Sequence, residues 1–236
     1  MEDDVKLSNW NDPTVIDYDK IIRRKIAGYS LLYDMTSRLM KAALYHKLSG
    51  QELLIVGAGG GEELVTLGSF EKNWHFTALD SSEPMIEIAR RRIAKLNLSE
   101  RVSFKKTALE DYITPAVYDG VTCLLVLHFI KGIDKKRQFI NLIASKMRTG
   151  SPLFLAAING DKKSYGFSIQ MDAWKSYMIS QGIRTEEFSK FNASFGEQTD
   201  PIPSEDLVSL LHESGFSDVN RYFGSYLIEG YMAFKK

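Results

Sequence analysis

Residues 52–62 and residue 80 carry the side chains and turns best arranged for chemistry. The run Glu52-Leu53-Leu54-Ile55-Val56 breaks into Gly57-Ala58-Gly59-Gly60-Gly61-Glu62, and the next apolar run ends in Leu79-Asp80. Glycines have no Cβ, so backbone N–H groups at such a turn can approach a ligand closely beside a helix N-terminus. A carboxylate that closes the neighbouring strand is placed to accept hydrogen bonds from both hydroxyls of a ribose. Together they describe a nucleoside-cofactor site.

The glycine spacing narrows the cofactor. A dinucleotide site needs Gly-x-Gly-x-x-Gly, whose third glycine packs the helix tightly and seats a pyrophosphate. Counted from Gly57, that third position is Glu62, and a glutamate there would repel a pyrophosphate. S-adenosylmethionine (SAM) has no phosphates, and its ammonium and carboxylate suit backbone groups near the turn. Methyl transfer from a sulfonium depends on positioning, and it needs a base only when the acceptor arrives protonated. His128, just after the fourth strand, is the candidate base; the competing reading is a histidine that only orients its loop. His46, His75 and His212 sit in helix or strand flanks and read as structural. Tyr165 and Trp174 are candidates to line an acceptor pocket, or else aromatics of a local core. One cysteine, Cys123, and four dispersed histidines give no disulfide framework and no metal-ligand cluster, so no metal is expected.

These groups must be held by a sheet. Strand signals at 51–57, 74–80, 102–106, 119–126 and 151–158 alternate with helix signals near 61–70, 83–96 and 134–147, the pattern of a parallel, doubly wound sheet. Ser81 or Ser82 can cap the helix over 83–96, with Pro84 in its first turn. Arg90, Arg91 and Arg92 on that helix read mostly as solvated surface. Before the sheet, Val15 to Lys47 is helical in pattern, interrupted at Gly28, and 1–48 is set apart as an N-terminal helical segment. Residues 49–236 form the main domain. Within it, 159–203 breaks the rhythm with scattered aromatics and reads as a helical cap over the carboxyl ends of the strands. A helix over 204–214 and two final strands, 219–223 and 225–234 joined around Gly224, add an antiparallel strand to the sheet.

Composition excludes several roles. Thirty basic residues balance thirty acidic ones over 236 residues, so no global field draws the chain to nucleic acid or a membrane. No apolar run reaches the length of a membrane span, and the acidic Met1-Glu2-Asp3-Asp4 is no signal peptide, so a cytoplasmic location is expected. Lys131, Lys135, Lys136 and Arg137 cluster at a helix start near the substrate edge. They read as a solvated helix start, although a tRNA acceptor stays compatible with them.

The chain resembles the class I SAM-dependent methyltransferases in Glu52–Glu62, Phe76–Met85, Thr107–Asp111 and Tyr118–Ile130. Arg24-Lys25-Ile26-Ala27-Gly28-Tyr29-Ser30 and the terminal Phe223–Tyr231 look similar to the carboxy-SAM synthase branch. The resemblance implies a Rossmann-like seven-stranded sheet with an antiparallel C-terminal strand, N-terminal helices and a helical cap. It implies cofactor contacts at Tyr29, Gly57, Ala58, Gly59, Asp80, Ser81, Ala108, Leu109 and Leu124, with Met85 against the adenine. Leu124 departs from that branch's asparagine, so only its backbone can serve. It also implies a homodimer through the N-terminal helices and cap. In carboxy-SAM synthase a cap arginine holds the extra carboxylate. Counted back from Gly215-Phe216 without gaps, that position is Asn192, whose neutral amide cannot make the charge-assisted pair. The expectation is therefore methyl transfer from ordinary SAM, leaving S-adenosylhomocysteine, to a small-molecule acceptor. The alternatives are a carboxy-SAM synthase-like enzyme and a SAM-binding protein without catalysis.

Overall fold

The computed structural model describes residues 18–46 and 50–236, so residues 15–17 and 47 of the expected N-terminal helical stretch lie outside the described residues. The described residues start with α1 (Tyr18–Lys25) and α2 (Tyr29–Ala43), separated by a turn at 26–28 in which Gly28, the residue before α2, takes φ 73°. Strands and helices then alternate: β1 (Gln51–Val56), α3 (Glu62–Phe70), β2 (Trp74–Asp80), α4 (Glu83–Ala94), β3 (Val102–Lys106), β4 (Gly120–Leu124), α5 (Ile133–Ser145) and β5 (Pro152–Ile158). The cap contains α6 (Tyr165–Ser180) and α7 (Thr185–Ala193), and the chain ends with α8 (Ser204–Glu213), β6 (Phe216–Ser225) and β7 (Ile228–Lys235).

The seven strands form one sheet in the order β3-β2-β1-β4-β5-β7-β6, the first five parallel and β7 antiparallel to both of its neighbours. This is the Rossmann-like methyltransferase sheet with its reversed C-terminal strand. Because side chains alternate across a strand, Leu53 and Ile55 of β1 face one layer while Leu54 and Val56 face the other. The first layer packs α2, α3 and the cap against the sheet; the second packs α5 and α8.

Local details differ from the sequence pattern at four places. β4 stops at Leu124 because Leu125 takes φ 63°, a conformation that L side chains rarely adopt. The terminal hairpin turns at Tyr226-Leu227, with Tyr226 at φ 50°, while Gly224 lies inside β6 opposite Glu229. Arg92 turns inward, donating to the Gly60 carbonyl (2.8 Å) and to Glu62. Lys136 is buried beneath the turn that follows β4, donating to the Leu127 and Ile130 carbonyls and pairing with Asp200 (3.4 Å), so it is no part of a solvated basic patch. Ser82 is the residue that caps α4, accepting from the Met85 N–H (3.3 Å). Among the described residues no helix is long and apolar enough to cross a membrane.

Candidate active site

The parallel strands point their carboxyl ends at a cavity of about 510 Å³, within the range of about 300–1,000 Å³ usual for small-molecule sites. The turn after β1 forms its floor. Gly57 holds φ 73°, and a Cβ there would lie 2.4 Å from Cγ2 of Val126, so no other residue fits without moving the segment after β4. At the end of β2, Asp80 ties two turns together: Oδ2 accepts from the Gly59 N–H (2.7 Å) and Oδ1 from the Ser82 N–H (2.8 Å). Burial raises its carboxyl above the ordinary value, and amide donation from Ser82, Gly59 and Ser81 opposes that shift. Each carboxylate oxygen keeps a lone pair for a further donor.

All ten expected cofactor residues line this cavity: Tyr29, Gly57, Ala58, Gly59, Asp80, Ser81, Met85, Ala108, Leu109 and Leu124. His128 and Trp174 line it too. Tyr165 does not: it is 81% exposed at the start of α6, on the outside of the cap. Asn192 is exposed on α7 and also lies away from the cavity, whereas its neighbour Phe191 points in. In α7 Phe188 is buried and Phe191 partly buried, whereas Asn192, one residue from the end of the helix, is exposed.

His128 is placed well and tuned badly for a base. Its ring is buried, and Nδ1 accepts from the Ile158 N–H (3.3 Å), which puts the proton on Nε2. Burial first, and the Lys136 charge second, push its pKa down to about 3. A neutral imidazole already carrying its proton on the free nitrogen can donate a hydrogen bond but cannot take a proton. The loop-orienting reading is the one this geometry supports.

Several cavity residues escaped the sequence reading. Lys25, Ile26 and Tyr33 arrive from α1, the turn after it and α2, and Phe191, Ser194 and Thr199 from the cap. The Tyr29 and Tyr33 rings pack at a tilt of 56° with centroids 4.8 Å apart, at the i,i+4 spacing of one helix face, a signal present in the sequence. Trp174 fastens the cap to α1 by donating Nε1–H to the Lys25 carbonyl (2.7 Å), and Arg24 donates to the Gln181 (2.6 Å) and Gly182 carbonyls. Glu63 is fully enclosed, accepts from Thr122 Oγ1 (2.8 Å), and is raised to about 8, first by burial and further by Glu62 and Asp80. Glu62 lines the cavity but is neutralised by Arg23 (2.7 Å) and Arg92, so its repulsion of a phosphate is weaker than its position in the sequence suggests. Among the described residues there is no cluster of three or more His, Cys, Asp or Glu side chains that could hold a metal.

A family model described as a methyltransferase domain matches residues 54–153. The ubiquinone biosynthesis O-methyltransferase of Dechloromonas aromatica is 27% identical over 146 residues, covering 61% of this chain and 59% of that protein. The protein of the same name from Marinobacter nauticus is 28% identical over 189 residues, covering 78% of this chain and 71% of that one. The match to the Dechloromonas protein thus spans less than two thirds of its length. Magnesium protoporphyrin IX methyltransferase from Synechocystis PCC 6803, crystallised with bound S-adenosylhomocysteine, superposes with a TM-score of 0.66 at 18% identity over 96% of both chains. Together with the seven-stranded sheet and its cavity, these similarities support a class I SAM-dependent methyltransferase.

SAM is the cofactor of this methyltransferase, and the residues present fit it. The glycine turn exposes backbone to the cavity, Asp80 offers an anionic acceptor, and Met85, Leu79 and Leu109 supply apolar walls. None of these similarities singles out the carboxy-SAM synthase branch, and the named relatives are O-methyltransferases.

Proposed function

We propose that this methyltransferase transfers a methyl group to an oxygen of a small, largely apolar acceptor held under the cap. The supporting observation is one cavity with two unlike kinds of lining: the glycine turn, Asp80, Ser81 and Ala108 on one hand, and the apolar Ile22, Ile26, Phe129, Trp174 and Phe191 on the other. We read the first set as the cofactor end and the second as the acceptor end. When bound, SAM supplies an electrophilic methyl on its sulfonium. In this reading Asp80 holds the ribose, Met85 and Leu109 flank the adenine, and Tyr29 lies toward the methionine end.

The protein's own contribution is orientation and exclusion of water. Trp174 and Arg24 hold the cap down on α1, so an acceptor entering the apolar end is stripped of solvent and fixed against the cofactor. The names of the relatives favour oxygen as the atom methylated, and a small molecule suits a cavity of this size. The test is calorimetric titration with SAM and S-adenosylhomocysteine, followed by radiolabelled methyl transfer to a panel of phenols and aromatic acids. Binding without transfer to any member would reject oxygen methylation of such acceptors; no binding at all would reject the site.

A further inference from the structure

Resting on that reading of the apolar end as the acceptor pocket, we infer that the acceptor is an aromatic or similarly flat molecule bearing an anionic oxygen, which pairs with Lys25. Lys25 ends α1 and lines the cavity together with Ile21, Ile22, Ile26, Trp174 and Phe191. Its backbone is fixed, because its carbonyl accepts from Trp174 Nε1. Its ammonium has no hydrogen bond or ion pair among the described residues. The carboxylate that acts on it from a distance, Glu187, is engaged at the start of α7, accepting from the Arg184 N–H (3.0 Å) and the Arg184 guanidinium (3.4 Å).

Burial lowers the Lys25 pKa, the expected response of a cation placed among apolar walls without a partner. Of the lining acids, Glu62 is held by Arg23 and Arg92, Glu63 by Thr122 and Asp80 by backbone amides, while Glu110 is exposed; none of the four is paired with Lys25 among the described residues. An anionic oxygen arriving with the acceptor would complete the pair in a water-poor site, where a charge-assisted contact is strongest. A second observation points the same way. His128 cannot remove a proton, so the cavity favours acceptors whose oxygen ionises without help from a base.

The test compares matched acids and amides: benzoate with benzamide, 4-hydroxybenzoate with 4-hydroxybenzamide, and 3,4-dihydroxybenzoate with 3,4-dihydroxybenzamide. Affinities are measured by calorimetry on the full chain saturated with S-adenosylhomocysteine, for the parent, Lys25→Met and Lys25→Arg. The expected result is that the parent prefers acids by about tenfold or more, that Lys25→Met abolishes the preference, and that Lys25→Arg keeps most of it. Equal affinity for acid and amide in the parent, a preference that survives Lys25→Met, or no acid binding at all would overturn the assignment. S-adenosylhomocysteine affinity is recorded for each protein beforehand. Loss of acid preference with that affinity intact isolates Lys25, whereas absent cofactor binding in the parent defeats the functional reading itself.

Discussion

Replacing Glu63 with Gln should change how stability depends on pH, and by an amount that the structure sets. The carboxyl is fully enclosed, and burial lifts it from an ordinary 4.5 to about 8. Between those values the folded chain keeps a proton that the unfolded chain has lost, so stability falls as pH rises. Integrating the linkage relation with those two values gives a loss of about 2.5 kcal/mol between pH 5 and 7, and about 3.5 kcal/mol between pH 5 and 8. Buried His128 acts in the opposite sense. Its pKa of about 3 against an ordinary 6.5 removes about 2 kcal/mol as pH falls from 7 to 5. The parent protein should therefore be squeezed from both sides. Glu63→Gln keeps the acceptor for Thr122 Oγ1 and resembles the protonated acid in shape. Urea titrations at pH 5, 6, 7 and 8 should give nearly equal stability for parent and variant at pH 5, with the variant gaining about 3.5 kcal/mol relative to the parent by pH 8. Parallel profiles across that range would refute the reasoning, because Glu63 would then titrate as an ordinary exposed carboxylate.

Asp80→Ala should weaken SAM and S-adenosylhomocysteine binding by about 100-fold or more, since hydrogen bonds to a charged acceptor contribute about 1.5–3 kcal/mol each; calorimetry within threefold of the parent would remove Asp80 from the site. Gly57→Ala should cost about 2–4 kcal/mol in urea denaturation, combining the clash with Val126 and the strain at φ 73°. Trp174→Ala should cost about 3–5 kcal/mol and expose residues 160–200 to limited proteolysis, while Trp174→Phe should lose only about 1 kcal/mol with the Lys25 hydrogen bond. The pH–rate profile of kcat/KM should show no inflection near 6.5, because His128 stays neutral throughout; an inflection there that vanishes in His128→Gln would restore it as a base.

The glycine-turn side of the cavity was legible because its parts are local. A glycine turn between an apolar run and a helix, and an acid at the end of the next strand, each declare their geometry within a dozen residues. Groups that depend on distant partners were not. Glu62 and Glu63 are adjacent acids at a helix start and look like an exposed pair, yet Glu62 meets Arg23 and Arg92 while Glu63 meets Thr122, 59 residues on. Lys136 sits in a run of basic residues that reads as surface. It turns inward because the carbonyls of Leu127 and Ile130 need a donor, and Asp200 returns from the cap to balance its charge. The terminal turn was misplaced by two residues for a related reason. Gly224 satisfies the usual turn preference, but β6 continues past it to Ser225, in a register that follows two earlier shifts, between Ser217 and Asn220 and between Arg221 and Phe223, which only the pairing with β7 defines.

The same division explains why family likeness names the cofactor more readily than the acceptor. The matched segment, residues 54–153, supplies the glycine turn, Asp80, Met85, Ala108, Leu109 and Leu124, as well as His128. Apart from Phe129, the opposite wall comes from elsewhere: Ile22, Lys25, Ile26, Tyr29 and Tyr33 precede the match, and Trp174, Phe191, Ser194 and Thr199 follow it. Those two outer segments hold each other through Trp174, Arg24 and the backbone of α1, so a change in either reshapes the pocket without touching the cofactor floor. Relatives that share the floor can thus differ in acceptor. Exchanging the walls should move acceptor preference while leaving S-adenosylhomocysteine affinity in place, provided Tyr29 is kept. A chimaera carrying foreign α1 and cap segments that lost both together would show that floor and walls form one cooperative unit.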